Sequence, residues 1–176
     1  MNVCICYLRP GPVDDGKVYQ LREYLEKFAT RQEGLLILGD FNARIGQLGD
    51  ATEIEYSNYP NIEGVRSSRD SIVKKRGKEM VGVMQELGLL ILNGRVSGDS
   101  QGEFTFVTHN GPSVLDLCIV NNIIAEIVNS LAIKSIGYSS HLAVELTIGE
   151  STTHTSSAEI ECIGWYAAKQ EKYELA

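Results

Sequence analysis

Apolar side chains change their spacing several times along the chain, and each change predicts an element. Val3 to Leu8 is a short β-branched run stopped by Arg9-Pro10-Gly11-Pro12, where proline fixes φ and removes a donor, so a strand should end there. Val18, Leu21, Tyr24, Leu25 and Phe28 then recur with helical spacing. Asp14 and Asp15 stand where an N-cap belongs and Gly34 where a C′ residue belongs, which predicts an amphipathic helix of about four to five turns. Leu35 to Leu38 is apolar without alternation, the pattern of a strand covered on both faces.

From Ala43 to about Lys75 neither period persists, and Gly, Asn, Ser and charged residues dominate, so a long surface loop is expected. Met80, Val81, Val83, Met84 and Leu87 follow Arg76-Gly77-Lys78 as a second helix ended by Gly88, with an apolar strand from Leu89 to Leu92. After turns between Gly94 and Gly102, strands are expected at Phe104 to Thr108, Val114 to Val120, Val128 to Ser135 and Leu142 to Ile148. Helices alternating with buried strands imply an α/β sandwich with a central sheet. The Ser/Thr tract from Glu150 to Ser157 lacks an apolar pattern, which sets the expected domain at residues 1–149 and leaves 150–176 as a linker and the start of a connector, with a helix expected from Ile163 to Leu175.

Composition narrows the classes of function. With 176 residues and a formal net charge of −7, the chain is not a polycation that would coat nucleic acid by counterion release. Its apolar runs are far shorter than the roughly 18 residues a spanning helix needs, so no membrane role is expected. Cys4, Cys6, Cys118 and Cys162 have neither disulfide-framework nor zinc spacing and read as reduced core thiols of an intracellular protein. Arg66, Arg69, Lys74, Lys75, Arg76 and Lys78 oppose only Asp70 in their stretch, which reads either as a solvated face or as a contact to a DNA backbone. No basic and apolar leader precedes Val3, and a chain that starts inside a strand suggests that an N-terminal portion is missing.

Three positions offer chemistry at strand ends. Asp40 closes the run Leu35-Leu36-Ile37-Leu38-Gly39, where a carboxylate at the mouth of a sheet can accept a proton. Asn42, two residues on, can bond an anionic oxygen, although Asp and Asn there also suit a simple turn. Asp116 lies inside the apolar run Ser113 to Val120, so burial requires a partner: His141, or else an arginine or backbone N–H. His141 stands just before Leu142-Ala143-Val144 and could protonate or hold a phosphoryl oxygen.

Taken together, Leu35 to Ala43 with its Gly-Asp-Phe-Asn core, Ser113-x-x-Asp116, Ser139-Ser140-His141 and Tyr7-x-x-Pro10 resemble the motifs of the endonuclease/exonuclease/phosphatase family, the DNase I-like phosphodiesterases. Arg76-Gly77, Gly88-Leu89, Leu92-Asn93-Gly94 and Gly102-x-x-Thr105 are similar in spacing to the endonuclease domain of non-LTR retrotransposons. The tail around Trp165 and Tyr173 resembles the connector that leads toward a reverse transcriptase. The likeness runs over about residues 3–148 and implies a DNase I-like four-layer α/β sandwich with its N-terminal strands missing. It implies catalytic roles for Asp40 on the attacking water, Asn42 on the phosphate, His141 oriented by Asp116, and Tyr7 on a phosphate oxygen. It further implies Mg²⁺ or Mn²⁺ as cofactor, DNA contacts by Asn42, Lys75 and Arg76, a reverse transcriptase domain in cis, and a nuclear location.

Two departures bear on activity. The family's metal-binding Glu and an earlier Asn lie on strands that this sequence lacks, and Ser140 replaces a carboxylate beside the metal. A serine hydroxyl is a poor Mg²⁺ ligand, so hydrolysis should be impaired or absent. The alternatives are a catalytically dead scaffold that binds a protein partner through an exposed sheet edge, and a phosphatase of the same fold.

Overall fold

The computed structural model describes residues 1–11, 16–29, 31–49 and 59–149. In chain order these form β1 (Asn2–Tyr7), α1 (Lys17–Ala29), β2 (Leu35–Asp40), α2 (Lys75–Glu86), β3 (Leu90–Ile91), β4 (Phe106–Thr108), β5 (Gly111–Ser113), β6 (Asp116–Val120), α3 (Asn122–Ala125), β7 (Val128–Lys134) and β8 (Ala143–Ile148). The main sheet has the order β1-β2-β6-β3, while β4-β5 and β7-β8 form two-stranded sheets. β1 and β2 are parallel and need a crossover, which α1 supplies; β6 runs antiparallel to β2 and β3.

The unbroken apolar run of β2 has the predicted cause. Leu35 and Ile37 face α1 and α2, packing with Leu21, Leu25, Met80, Met84, Leu117 and Ile119. Leu36 and its neighbours on the opposite face join Cys118, Val120, Val128 and Leu131, with Val144 and Leu146 packed against them. The layers are therefore helices, main sheet and β7-β8 sheet, and each fully buried aliphatic side chain in them contributes about 1.5–3 kcal/mol.

The second sheet stops short of β1. Val3, Ile5 and Tyr7 pair with Leu36, Leu38 and Asp40, so they share that face. They are nevertheless 53%, 70% and 53% exposed, whereas Cys6 on the other side is buried. Among the described residues β1 is an edge strand with one apolar face open. Cys4, Cys6 and Cys118 are free, and burial first, then the neighbouring Cys4 and Asp40, pushes the Cys6 thiol up to about 12.

Several elements depart from the pattern-based expectation. Gly34 is not a helix C′ residue: α1 ends at Ala29, and the Gly34 carbonyl accepts Asn2 N–H at the start of β2. The described residues within 43–75 do not form a surface loop, since Ala43, Ile45, Ile62, Arg66, Ser68 and Asp70 are buried. Buried polar side chains hold this stretch: Arg66 donates to the carbonyls of Gly46, Leu48 and Asn93, and Asp70 pairs with Arg44 at 2.6 Å. The strand expected from Leu89 to Leu92 shortens to Leu90–Ile91, and the short α3 was not foreseen. Its cap, Asn121, accepts from both Ile124 N–H and Leu35 N–H, tying α3 to β2. Asp14, Asp15, Cys162 and everything expected between Glu150 and Leu175 lie outside the described residues.

Candidate active site

Strand register assembles the site. Tyr7 pairs with Asp40, and Asp40 with Asp116, so the three form one row across β1, β2 and β6. Cross-strand partners share a face, which puts their side chains together at one end of the sheet. Gly39 makes the row possible: its φ is +146°, and a Cβ there would stand 1.8 Å from the Cys6 carbonyl oxygen. The chain then turns at Asn42, whose φ of +46° is a conformation that asparagine tolerates.

Asn42 braces Asp40. Its N–H donates to Asp40 Oδ1 at 2.8 Å, and its Nδ2 donates to Asp40 Oδ2 at 2.7 Å and to the Leu8 carbonyl at 3.0 Å. Both amide protons are thus engaged inside the protein, and the residue makes the turn that the sequence also allowed. Burial pushes the Asp40 carboxyl above its ordinary value and the nearby Asp116 charge adds to this, while the Asn42 bonds and His141 act against it.

His141 reaches the row from the loop between β7 and β8. Its Nδ1 lies 2.9 Å and 3.1 Å from the two Asp116 oxygens, and its ring packs on Phe106 with centroids 4.5 Å apart. The carboxylate is therefore partnered by a histidine, one of the options left open by the sequence. The Asp116 hydrogen bond holds the imidazole above its ordinary pKa; burial opposes this, and the charges of Asp116 and Asp40 reinforce it. With Nδ1 bound, Nε2 is the nitrogen left to meet a substrate. Neighbouring Ser140 is exposed and contributes its carbonyl to Val107 N–H.

The basic stretch divides in two. Arg66 and Arg76 are 2% and 5% exposed, and Arg76 donates to the carbonyls of Arg9 and Gly11. The Arg76 guanidinium is thus inside the fold, not on a face open to a DNA backbone. Arg69, Lys74, Lys75 and Lys78 are exposed, with Lys75 4.0 Å from Glu79. Sequence reasoning did not foresee the Arg44–Asp70 pair, which also accepts from Val114 N–H and so links the Asn42 loop to the approach to Asp116. An arginine two residues beyond Asn42 was the available signal.

The donor set of the described residues does not suit a divalent metal. Asp116 is engaged by His141, Ser140 offers no charge, and Asp40 is the remaining carboxylate of the row. No group of three or more His, Cys, Asp or Glu suited to a metal occurs among the described residues. Mg²⁺ sites rely on carboxylates and phosphate oxygens in near-ideal geometry, and the residues present do not provide that set. No described helix is long and apolar enough to cross a membrane.

Known structures share this fold. The endonuclease domain of TRAS1, a telomere-specific non-LTR retrotransposon, is similar at 20% identity with a TM-score of 0.53, covering 83% of this chain and 56% of that one. A 3′-5′ exonuclease from Neisseria meningitidis gives 17% identity and a TM-score of 0.58, covering 83% and 60%. A Neisseria 3′ phosphatase bound to a product DNA hairpin gives 16% and 0.53, covering 76% and 52%. This chain thus spans little more than half the length of these structures, and no protein of curated function matches it. The fold is that of the DNase I-like endonucleases and exonucleases. Residues 1–145 match the endonuclease-reverse transcriptase family, and the chain belongs to it.

Proposed function

We propose that the Asp40, Asp116 and His141 cluster hydrolyses phosphodiesters of DNA by attack of water, and that this chain does so weakly. The observation that carries the reading is the two-oxygen grip of Asp116 on His141 beside a carboxylate of raised pKa in the same strand row. A water bound to Asp40 transfers a proton to it as the water oxygen attacks phosphorus. His141 in its protonated form, held by Asp116, directs Nε2–H at a non-bridging oxygen and stabilises the charge that develops there. As the bond from phosphorus to the leaving oxygen breaks, that oxygen takes a proton from solvent, and Tyr7 supplies a hydrogen bond to the phosphoryl group. Asn42 keeps Asp40 aimed.

Weakness follows from the donor set. The Mg²⁺ or Mn²⁺ assistance implied by the family resemblance has no matching set of carboxylates among the described residues, so no step is routed through a metal. The exposed Lys75, with Lys74, Lys78 and Arg69, is the reading's contact to the DNA backbone; Arg76 supports the fold beneath it. A reverse transcriptase in the same protein is part of the proposal and is favoured by the family match.

Nicking of supercoiled plasmid by the full chain tests the reading. Slow conversion to open circles is expected, abolished by His141→Ala and by Asp40→Asn. Activity unchanged by both substitutions refutes it, and release of phosphate from a phosphomonoester with plasmid left intact would favour a phosphatase.

A further inference from the structure

We propose that Thr105 is the positioning residue of the Asp116–His141 pair. The inference rests on the functional reading above only for its kinetic consequence; the geometry stands apart from it. Thr105 is fully buried just before β4, between the two segments that carry the pair. Its hydroxyl oxygen accepts the N–H of Leu115 and the N–H of Asp116, each at 2.9 Å. Its own N–H donates to the Ser113 carbonyl at 3.1 Å, and its carbonyl accepts Leu142 N–H at 2.7 Å. One side chain thus fixes Asp116, while the same residue's backbone fixes the neighbour of His141.

The next two residues extend the grip. Phe106 lays its ring against the imidazole, and Val107 N–H donates to the Ser140 carbonyl at 2.8 Å. The Leu115 carbonyl in turn accepts Phe41 N–H at 3.0 Å, beside Asp40. The Leu115–Asp116 peptide is therefore held by the Thr105 hydroxyl on one side and by the Asp40 turn on the other.

A hydroxyl that accepts twice uses both of its lone pairs, and a methyl group in its place offers neither. Thr105→Val keeps the shape and leaves two N–H groups without their acceptor. The Leu115–Asp116 backbone must then rotate toward new partners, carrying the carboxylate with it. Hydrogen bonds of 2.9 and 3.1 Å do not survive a displacement approaching 1 Å. A threonine that merely anchors the β4 turn would cost stability and leave the imidazole unchanged.

The test is the ¹H–¹⁵N spectrum of the imidazoles in the substrate-free 176-residue chain, with the His141 signals assigned by His141→Gln. In the native protein the His141 Nδ1–H proton should resonate far downfield, as expected for a bond to a carboxylate. Thr105→Val should shift this signal upfield or broaden it, whereas Thr105→Ser, which retains the acceptor, should preserve it. In an Asp116→Ala background, where the ring has no partner at position 116, Thr105→Val should change nothing further at the ring. A folded Thr105→Val protein with the native His141 spectrum overturns the proposal. If Thr105→Val fails to fold, Thr105→Ala carries the same expectation. If Thr105→Ser alone folds, retention of the native signal supports the proposal and loss overturns it. In plasmid nicking, Thr105→Val should lower kcat on the order of 10²-fold with KM unchanged. Native spectral behaviour as predicted without hydrolysis by any variant would leave the positioning role standing and remove the proposed activity.

Discussion

Replacing Asp116 by asparagine removes the charge that holds His141 and keeps the side chain's size, so its effect on stability should depend on pH. The folded protein keeps His141 above its ordinary pKa of 6.5. A hydrogen bond between a carboxylate and a cationic imidazole contributes about 1.5–3 kcal/mol. The two side chains are 38% and 15% exposed, and solvent screening of the histidine reduces the expected share to about 1 kcal/mol. Because the folded pKa is raised, this stability is fully present below 6.5 and is lost as pH rises through the folded value. Asparagine oxygen still accepts from neutral imidazole, and removing the Asp116 charge relieves Asp40, so the alkaline loss should be near zero or reversed.

Urea unfolding followed by circular dichroism at about pH 5.5 and about pH 9 reads this difference. Asp116→Asn should cost about 1 kcal/mol at the lower pH, roughly 2–4 °C in Tm for a chain of this size, and little at the higher. Equal losses at both values, or a larger loss at pH 9, would refute the account of the pair.

Three further substitutions probe other parts of the account. Asp40→Asn should change stability at pH 7 by no more than about 1 kcal/mol, since burial already disfavours the charge; and the fall in native stability as pH rises above 3.8 should be weaker in its denaturation profile. Arg44→Ala strips the cation from a buried carboxylate that retains bonds from Val114 and Ile72 N–H, and should cost roughly 3 kcal/mol in urea unfolding; a loss under 1 kcal/mol would show that the pair does not organise the segment around Asp70. Gly39→Ala, with its Cβ driven against the Cys6 carbonyl, should cost upward of roughly 3 kcal/mol and leave little soluble protein on expression; a native-like melting curve would contradict the close approach of β1 and β2.

Much of the sheet was legible because burial on two faces leaves a clear sequence trace. Leu35 to Leu38 reads as apolar throughout since Leu35 and Ile37 meet the helices while Leu36 meets the second sheet. Asp40, Asp116 and His141 stood out by motif, but not that Tyr7, Asp40 and Asp116 form a row, because register between distant strands is set by tertiary packing. Residues 43–75 were illegible for a different reason. Arg44, Arg66 and Asp70 look like surface residues by type, yet they serve as internal hydrogen-bond donors and acceptors for irregular backbone. The same logic withdrew Arg76 from the DNA-facing set, its guanidinium being engaged by the turn after β1. Asn42 carried two readings in sequence, phosphate ligand or turn, and its φ and its bonds to Asp40 display the turn. The four-residue α3 is too short to show a period at all.

Removing the histidine tests the central claim most directly. Plasmid nicking by the native chain with metal chelated should be slow but measurable, and should vanish in His141→Ala. Nicking that survives the loss of His141, or no nicking by the native chain, would contradict the proposal that this cluster hydrolyses phosphodiesters.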